Sequence, residues 1–431
     1  MLVILMKNKK KGRISIADIA KKCEEIIHSK WFLNSARKRK QDFTRDRKLP
    51  FVLLVMFMLN MIKSAIQKSL DSFFEKTNHD DIHMSEQAFS LARNKIKWQA
   101  FQELFLAIVN LIYTGYYETW HGYRVSAIDG SKIQLPDDKY LRETFGTMGK
   151  DNTAATAQAS ALYDVFNNVL IDAQIEPLSI GERELALRHI DALRKLPSFD
   201  KDCVLYDRGY ASFELVETSK AYSIHFVMRV KRGFNISIDK LGVGDHTVLL
   251  HKKGHNDIEV RVLKFFLPSG EIETLITDIT DKRMGINAFK KLYFKRWPIE
   301  TKYYEIKNKL EVENFSGRTE NAIKQDFFIT MYMSNVAAVA CWEAQVHVDE
   351  ERNQNDNKYS YHVNVNHAIG TLKDRFILAM LETNPRKRGK MIKRLVFLLK
   401  ECVVPTRPGR SLKRNPSPRK AKFRFNKKSN C

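Results

Sequence analysis

The hydrophobic pattern changes period along the chain. Up to about residue 115, apolar positions recur at helical spacing. Ile14, Ile16, Ile19 and Ala20 open one period, with Asp18 and Lys21 on other faces. Met84 to Leu111 carries a second. Ser85 is its candidate N-cap, Phe89, Ala92, Ile96, Phe101, Leu104 and Ile108 mark its apolar face, and Arg93, Lys95 and Lys97 are expected on its exposed side. From about residue 120 the period becomes two. Arg124 to Ile128 and Lys132 to Leu135 read as strands with Asp129-Gly130 between them. Ala157 to Phe166 and Val169 to Pro177, broken by Asn167-Asn168, read as a hairpin. A helix over Glu182 to Leu196, a short strand from Cys203 to Tyr206, a brief helix and a strand from Ile224 to Val230 follow. That order predicts a mixed α/β fold with a core helix on the sheet, not a regular doubly wound one.

Residues 231 to 283 contain Gly233, Gly242, Gly244, Gly254 and Gly270 among short alternating runs such as Ile258-Val260-Val262, and read as a β-rich insertion. Ala288 to Val312 is helical again, and helical patterning continues to about Leu399. From Pro385 to Lys428 the chain carries roughly +16 with a single acidic residue, the pattern of a basic tail that is disordered without a polyanion.

Charge sharpens the picture. The 431 residues carry a formal net charge of +23, which favours nucleic acid as the partner and leaves an acidic membrane surface as the competitor. The cationic run Arg37-Lys38-Arg39-Lys40, followed by Arg45, Arg47 and Lys48, makes DNA binding by the first region at least as reasonable as an ordinary solvated face. Two apolar runs argue against a membrane reading. Phe51 to Ile62 is too short to span a bilayer, and Ile329 to Trp342, interrupted by Ser334 and Asn335, fits a buried helix. The apolar start precedes its lysines, the wrong order for a secretory signal. Five scattered cysteines without a CxxC suggest reduced thiols in a cytosolic protein.

The candidate chemistry lies in carboxylates. Asp129 follows VSAI and Asp207 follows CVLY, so each is expected at a strand end just past buried residues of its own face. If those strands are parallel neighbours, the two carboxylates converge at one edge of the sheet. Facing carboxylates repel, and oxygen donors without His or Cys favour magnesium or manganese over zinc. Taken singly, Asp-Gly after a strand is most often a turn, and Asp207 before Arg208-Gly209-Tyr210 fits a turn or helix cap as well. The segment Tyr293 to Lys307 changes that balance. Its spacing Tyr293-x2-Arg296-x3-Glu300-x6-Lys307 places four residues along one stripe of a helix, although Pro298 marks a kink or helix start. A carboxylate among Tyr, Arg and Lys suits a metal site beside a phosphate backbone. His251-x3-His255 has metal-ligand spacing but sits in a glycine- and lysine-rich loop. Trp297 could stack on a base, though a core position is the commoner case, and Tyr303-Tyr304 reads as packing.

These motifs resemble the YREK signature of transposases of the insertion-sequence-four group, within the wider class of DDE transposases. The resemblance rests on Tyr293-Arg296-Glu300-Lys307, AIDGSKIQLP around Asp129, LYDRGY around Asp207 and ENFSGRT from Glu313 to Thr319. It implies an RNase H-like mixed sheet flanked by helices, with Asp129, Asp207 and Glu300 as the metal-binding catalytic triad. It further implies that Tyr293, Arg296 and Lys307 contact transposon-end DNA. The expected cofactors are two Mg²⁺ (or Mn²⁺) ions acting in phosphoryl transfer, one activating a water and the other stabilising the departing 3′-oxygen. The expected partner is double-stranded DNA, transposon ends and target, bound by a homodimer in the bacterial cytoplasm and nucleoid. The implied organisation is a helical DNA-binding region over 1–118, a catalytic domain over 119–320 interrupted at 231–283, a helical region over 321–400 suited to dimerisation, and a basic tail over 401–431. Two alternatives stand beside it: an RNase H-like nuclease without strand transfer, and a silent DNA-binding repressor derived from a transposase.

Overall fold

Apolar alternation from Tyr123 to Ala127, carried on through Asp129-Gly130 to Ile133, forms one uninterrupted strand, β1 (Tyr123–Gln134), in the computed structural model, which describes residues 12–45, 48–79, 82–149, 153–196, 201–353 and 359–407. The expected break at Asp129-Gly130 is therefore corrected. Gly130 keeps β-type pairing because β1 outruns its neighbour on one side and continues along its neighbour on the other. The remaining strands of the sheet are β2 (Thr147–Met148), β3 (Ala154–Asp164), β4 (Val169–Glu176), β5 (Lys201–Tyr206), β6 (His225–Val230), β7 (Gly244–Leu250), β8 (Ile258–Phe266) and β9 (Ile272–Thr277). They run in the order β2-β3-β1-β5-β6-β9-β8-β7, with β4 also paired to β3.

The chain divides into two compact units, one of Tyr117–Lys132 and Gln158–Tyr304, the other of Met1–Tyr116, Ile133–Ala157 and Glu305–Cys431. The first is the sheet unit. Strands β3 and β4 are antiparallel, as the hairpin at Asn167-Asn168 predicts, whereas β1, β5 and β6 are parallel. This is the mixed α/β sheet flanked by helices that the pattern predicts. Helices Glu182–Arg194 and Phe213–Ala221 connect the central strands and bury Leu185, Ile190, Leu193, Leu215 and Val216. The glycine-rich stretch forms β7, β8 and β9, which extend the same sheet through antiparallel pairing of β9 with β6.

The helical stretch expected over Ala288 to Val312 forms two helices, Ile286–Phe294 and Pro298–Asn308, the second starting at Pro298, the kink or helix start expected there. Lys295, Arg296 and Trp297 form turns whose amides bond three residues back, and Pro298, lacking an N–H, starts the next helix. The stripe of four signature residues thus spans a turn between helices.

The helical unit is organised on Glu320–Val348. Apolar residues occur around its whole circumference, and most of its length is buried, as its composition requires. Helices Gln99–Ile112, Val365–Leu381, Pro385–Glu401 and Ile16–Ile27 pack against it, and Trp98 stacks on Phe328 at 5.4 Å. Met84 to Leu111 forms two helices, Glu86–Arg93 and Gln99–Ile112, with Ser85 capping the first as predicted. The basic tail expectation is corrected where it begins. Asn384 caps Pro385–Glu401, and Ile392, Leu395, Val396 and Leu399 bury one face of that helix. Residues 408–431 of the tail, Arg47 and residues 1–11 lie outside the described residues. No described helix is long and apolar enough to cross a membrane.

Candidate active site

Register brings the first two carboxylates level. The last aligned pair of β1 and β5 is Ala127 with Leu205, and Asp129 and Asp207 each stand two residues beyond it. Asp129 therefore lies inside a strand, not at its end, while Asp207 follows β5 directly. One oxygen of Asp129 accepts the Gly130 N–H at 2.9 Å, and one oxygen of Asp207 accepts the Gly209 N–H at 2.8 Å. The Asp129 backbone carbonyl accepts the Tyr303 hydroxyl at 2.8 Å, which fixes this part of β1 to the helix Pro298–Asn308. Tyr303 is packed as predicted, whereas Tyr304 is exposed.

Electrostatics link Asp129 to the signature segment. Burial pushes its carboxyl up to about 6. The Gly130 N–H and the Arg296 guanidinium oppose the rise, and the charges of Asp207 and Glu300 add to it. Asp207, Glu300 and Arg296 thus all act on one half-buried carboxylate. Arg296, itself buried, reaches Glu300 at 3.5 Å, and its guanidinium lies 6.0 Å from the ring centre of Tyr293. Tyr293 is buried and donates to the carbonyl of Tyr206 at 3.3 Å, tying the helix Ile286–Phe294 to the residue preceding Asp207. Trp297 is 55% exposed, against the core position weighed for it.

The donor set fits a hard divalent cation: carboxylate oxygens, one of them held protonation-prone by burial and like charge, with neither thiol nor imidazole among them. Among the described residues, no three acidic, His or Cys groups close on a common point, so a cation would have to draw these carboxylates together. Asp129, Asp207 and Glu300 are the residues that would hold it.

Lys307 lies seven residues beyond Glu300 on the same helix but belongs to the helical unit, where it pairs with Glu313 at 4.0 Å. The neighbouring ENFSGRT motif is structural there. Thr319 caps Glu320–Val348, Ser316 bonds Asp326, and Asn314 donates to the Lys63 carbonyl. His251 and His255 occupy a loop, as expected, and pair with separate carboxylates, Asp257 and Glu217.

Several features escaped sequence reading. Arg208, Arg229, Lys231, Arg232 and Lys264, with Asp239 and Glu271, line a cavity of about 570 Å³, although Arg229 also pairs with Glu273 and Lys264 caps two backbone carbonyls. The dispersal of these cations over three chain segments hides them in one dimension. Arg93, expected to be exposed, is buried. It bonds Asp326 at 3.0 Å, Gln325 at 3.0 Å and Ser316 at 2.6 Å, at the last position of its helix, where its side chain reaches the start of Glu320–Val348.

Comparison with known proteins places these features in context. The family described as Transposase DDE domain matches residues 120–336. Transposase InsG for insertion sequence element IS4, from Escherichia coli (strain K12), is 25% identical over 308 residues, covering 64% of this chain and 66% of InsG. The proteins y4zB of Sinorhizobium fredii and InsZ of E. coli are 23% and 27% identical over 39% and 42% of their own lengths. The chain thus spans two thirds or less of the curated relatives it matches. A piggyBac transposase, solved as a synaptic complex with hairpin DNA, superposes with a TM-score of 0.46 and 10% identity over 95% of this chain and 92% of that one.

Proposed function

The chain belongs to the DDE transposases, among those of the insertion-sequence-four type, and from that premise we propose that it cuts the ends of an insertion sequence and joins them to target DNA. The observation that carries this reading is the register of β1 and β5, which sets Asp129 and Asp207 level, together with the charges of Arg296, Asp207 and Glu300 acting on the half-buried Asp129 carboxyl. Asp129, Asp207 and Glu300 hold divalent cations, Mg²⁺ or Mn²⁺. Bound there, two such ions supply the activation of an attacking oxygen and the neutralisation of a departing one that phosphoryl transfer requires.

The protein's own groups do the rest. β1 and β5 hold the two aspartates level, and Tyr293 and Tyr303 lock the signature helices to the backbone next to each. Arg296 restrains Glu300 and presents positive charge toward the phosphodiester. Lys307 contributes a further cation to the DNA. The groove of Arg208, Lys231 and Arg232 carries the sugar–phosphate backbone away from the carboxylates. Two ends must be joined together, so the active DNA complex is a homodimer, working on the bacterial nucleoid.

The test uses double-stranded DNA bearing the element's own ends, with Mg²⁺, and compares the wild type with Asp129→Ala, Asp207→Ala and Glu300→Ala. Cleavage and joining by the wild type should fall at least about a hundredfold in each variant. Equal activity in the variants would sink the assignment. Cleavage without joining would identify a nuclease, and binding without cleavage a repressor.

A further inference from the structure

The peptide group between Asp129 and Gly130 is held at both of its ends. Its N–H donates to a carboxylate oxygen of Asp129 at 2.9 Å. Its carbonyl accepts two side-chain hydroxyls, from Tyr303 at 2.8 Å and from Ser160 on β3 at 3.4 Å, so both lone pairs of the oxygen are engaged. All of these residues belong to the sheet unit. Fixing the plane of this peptide fixes the direction of its N–H, and with it the carboxylate oxygen that the N–H holds.

Ser160 is the end of a buried polar chain. Asp172 on β4 bonds His189 Nδ1 at 2.7 Å, and His189 Nε2 bonds Ser160 Oγ at 2.9 Å. Gln174 donates to the same Asp172 oxygen at 3.3 Å. His189 and Ser160 are fully buried, and Asp172 nearly so. The order of groups is that of a serine nucleophile and its base, yet burial keeps any substrate from Ser160 Oγ. The chain lies between the helix Glu182–Arg194 and the sheet, where apolar side chains would pack without the cost of desolvating charge. It ends on the carbonyl of the residue whose carboxylate the functional reading uses.

We propose that Asp172, His189 and Ser160 are positioning residues that aim the Asp129 carboxylate through the 129–130 peptide. Both ring nitrogens of His189 then donate, Asp172 balances the imidazolium charge, and the Ser160 proton is left for the Asp129 carbonyl. Ser160 acts on the backbone, not on the carboxylate itself. The inference rests on the reading that Asp129 holds the cation.

The experiment compares the full-length wild type with Ser160→Ala, His189→Leu, His189→Gln and Asp172→Asn. Mn²⁺ affinity is read without DNA by calorimetry, kcat and KM for cleavage are read on DNA bearing the element's own ends, and Tm is read by thermal melting. Ser160→Ala should raise the Kd for Mn²⁺ and lower kcat, each about tenfold, with KM for DNA and Tm unchanged. His189→Leu and Asp172→Asn should act in the same direction, the second because a neutral ring draws the Ser160 proton to Nε2. His189→Gln, which keeps an N–H toward Ser160, should recover most of kcat. If Ser160→Ala and His189→Leu bind Mn²⁺ and cleave as the wild type does while Asp129→Asn does neither, the chain is packing only and the inference fails alone. If Ser160→Ala lowers Tm with Mn²⁺ affinity and kcat unchanged, its role is structural and the inference fails as well. If Asp129→Asn leaves both Mn²⁺ binding and cleavage intact, the cation reading fails and takes this inference with it.

Discussion

Arg93 in the helical unit and Asp129 in the sheet unit are both charges drawn out of water, and the protein treats them oppositely. Arg93 meets Asp326, Gln325 and Ser316, so its donors are matched by acceptors and its charge by an opposite charge. Asp129 has the Gly130 N–H and the charge of Arg296 to set against burial and two further carboxylates. The first arrangement is complete within the chain. The second leaves a carboxyl that burial raises to about 6. Buried charge that is satisfied holds a fold together, whereas buried charge left unsatisfied marks the place where a ligand belongs.

Breaking the satisfied pair should have the larger effect on stability. Arg93→Ala leaves Asp326 without its partner inside the helical unit and should cost about 3–5 kcal/mol, read from chemical denaturation. A loss below about 1 kcal/mol would show that the network is dispensable and remove one side of the contrast.

Removing the unsatisfied charge should do the reverse. The Asp129 carboxyl is raised from 3.8 to about 6 in the folded state. Between those values the folded chain keeps a proton that the unfolded chain has lost, so stability falls as pH rises through this window and stays lower above it. Asp129→Asn, which cannot ionise, should therefore be more stable than the wild type by about 1–3 kcal/mol at pH 8 without divalent cations. The difference should vanish near pH 4. Saturating Mg²⁺ at pH 8 should narrow it by stabilising the wild type alone. A pH-independent difference would mean that Asp129 is not the titrating group.

The groove lined by Arg208, Lys231 and Arg232 sharpens the same comparison, since these three cations are exposed to solvent. Each of Arg208→Ala, Lys231→Ala and Arg232→Ala should reduce the slope of log affinity for DNA against log salt by about 0.9, with little change in Tm. An unchanged slope would remove that residue from the DNA path. The smallest effect on folding is expected at Trp297, whose exposed ring holds little of the core. Trp297→Ala should change stability by no more than about 0.5 kcal/mol, and a larger loss by thermal melting would return it to a packing role.

Much of this was legible along the chain because it depends on local rules. The alternation around Asp129 and Asp207 fixes which face each carboxylate shares, the Asn167-Asn168 turn fixes a hairpin, and Ser85 caps the helix expected of it. The spacing Tyr293-x2-Arg296-x3-Glu300-x6-Lys307 survives as a recognisable pattern even though the chain turns at Lys295 to Trp297 and divides it between two helices. Local rules failed where an outcome depended on a distant partner. Whether Asp-Gly at 129–130 turns or continues a strand is decided by the strands on either side. Whether Arg93 faces water is decided by Asp326, and whether the start of the basic tail is ordered is decided by the apolar face of Pro385–Glu401.

The sequence by itself determined the periods, the caps and the three acidic positions with their basic and aromatic company, because backbone geometry repeats every two or 3.6 residues and needs no distant information. Only the tertiary structure decided which charges are matched and which are left open. Matching depends on distance in space, and a separation of 233 residues between Arg93 and Asp326 becomes 3.0 Å only when the helices pack.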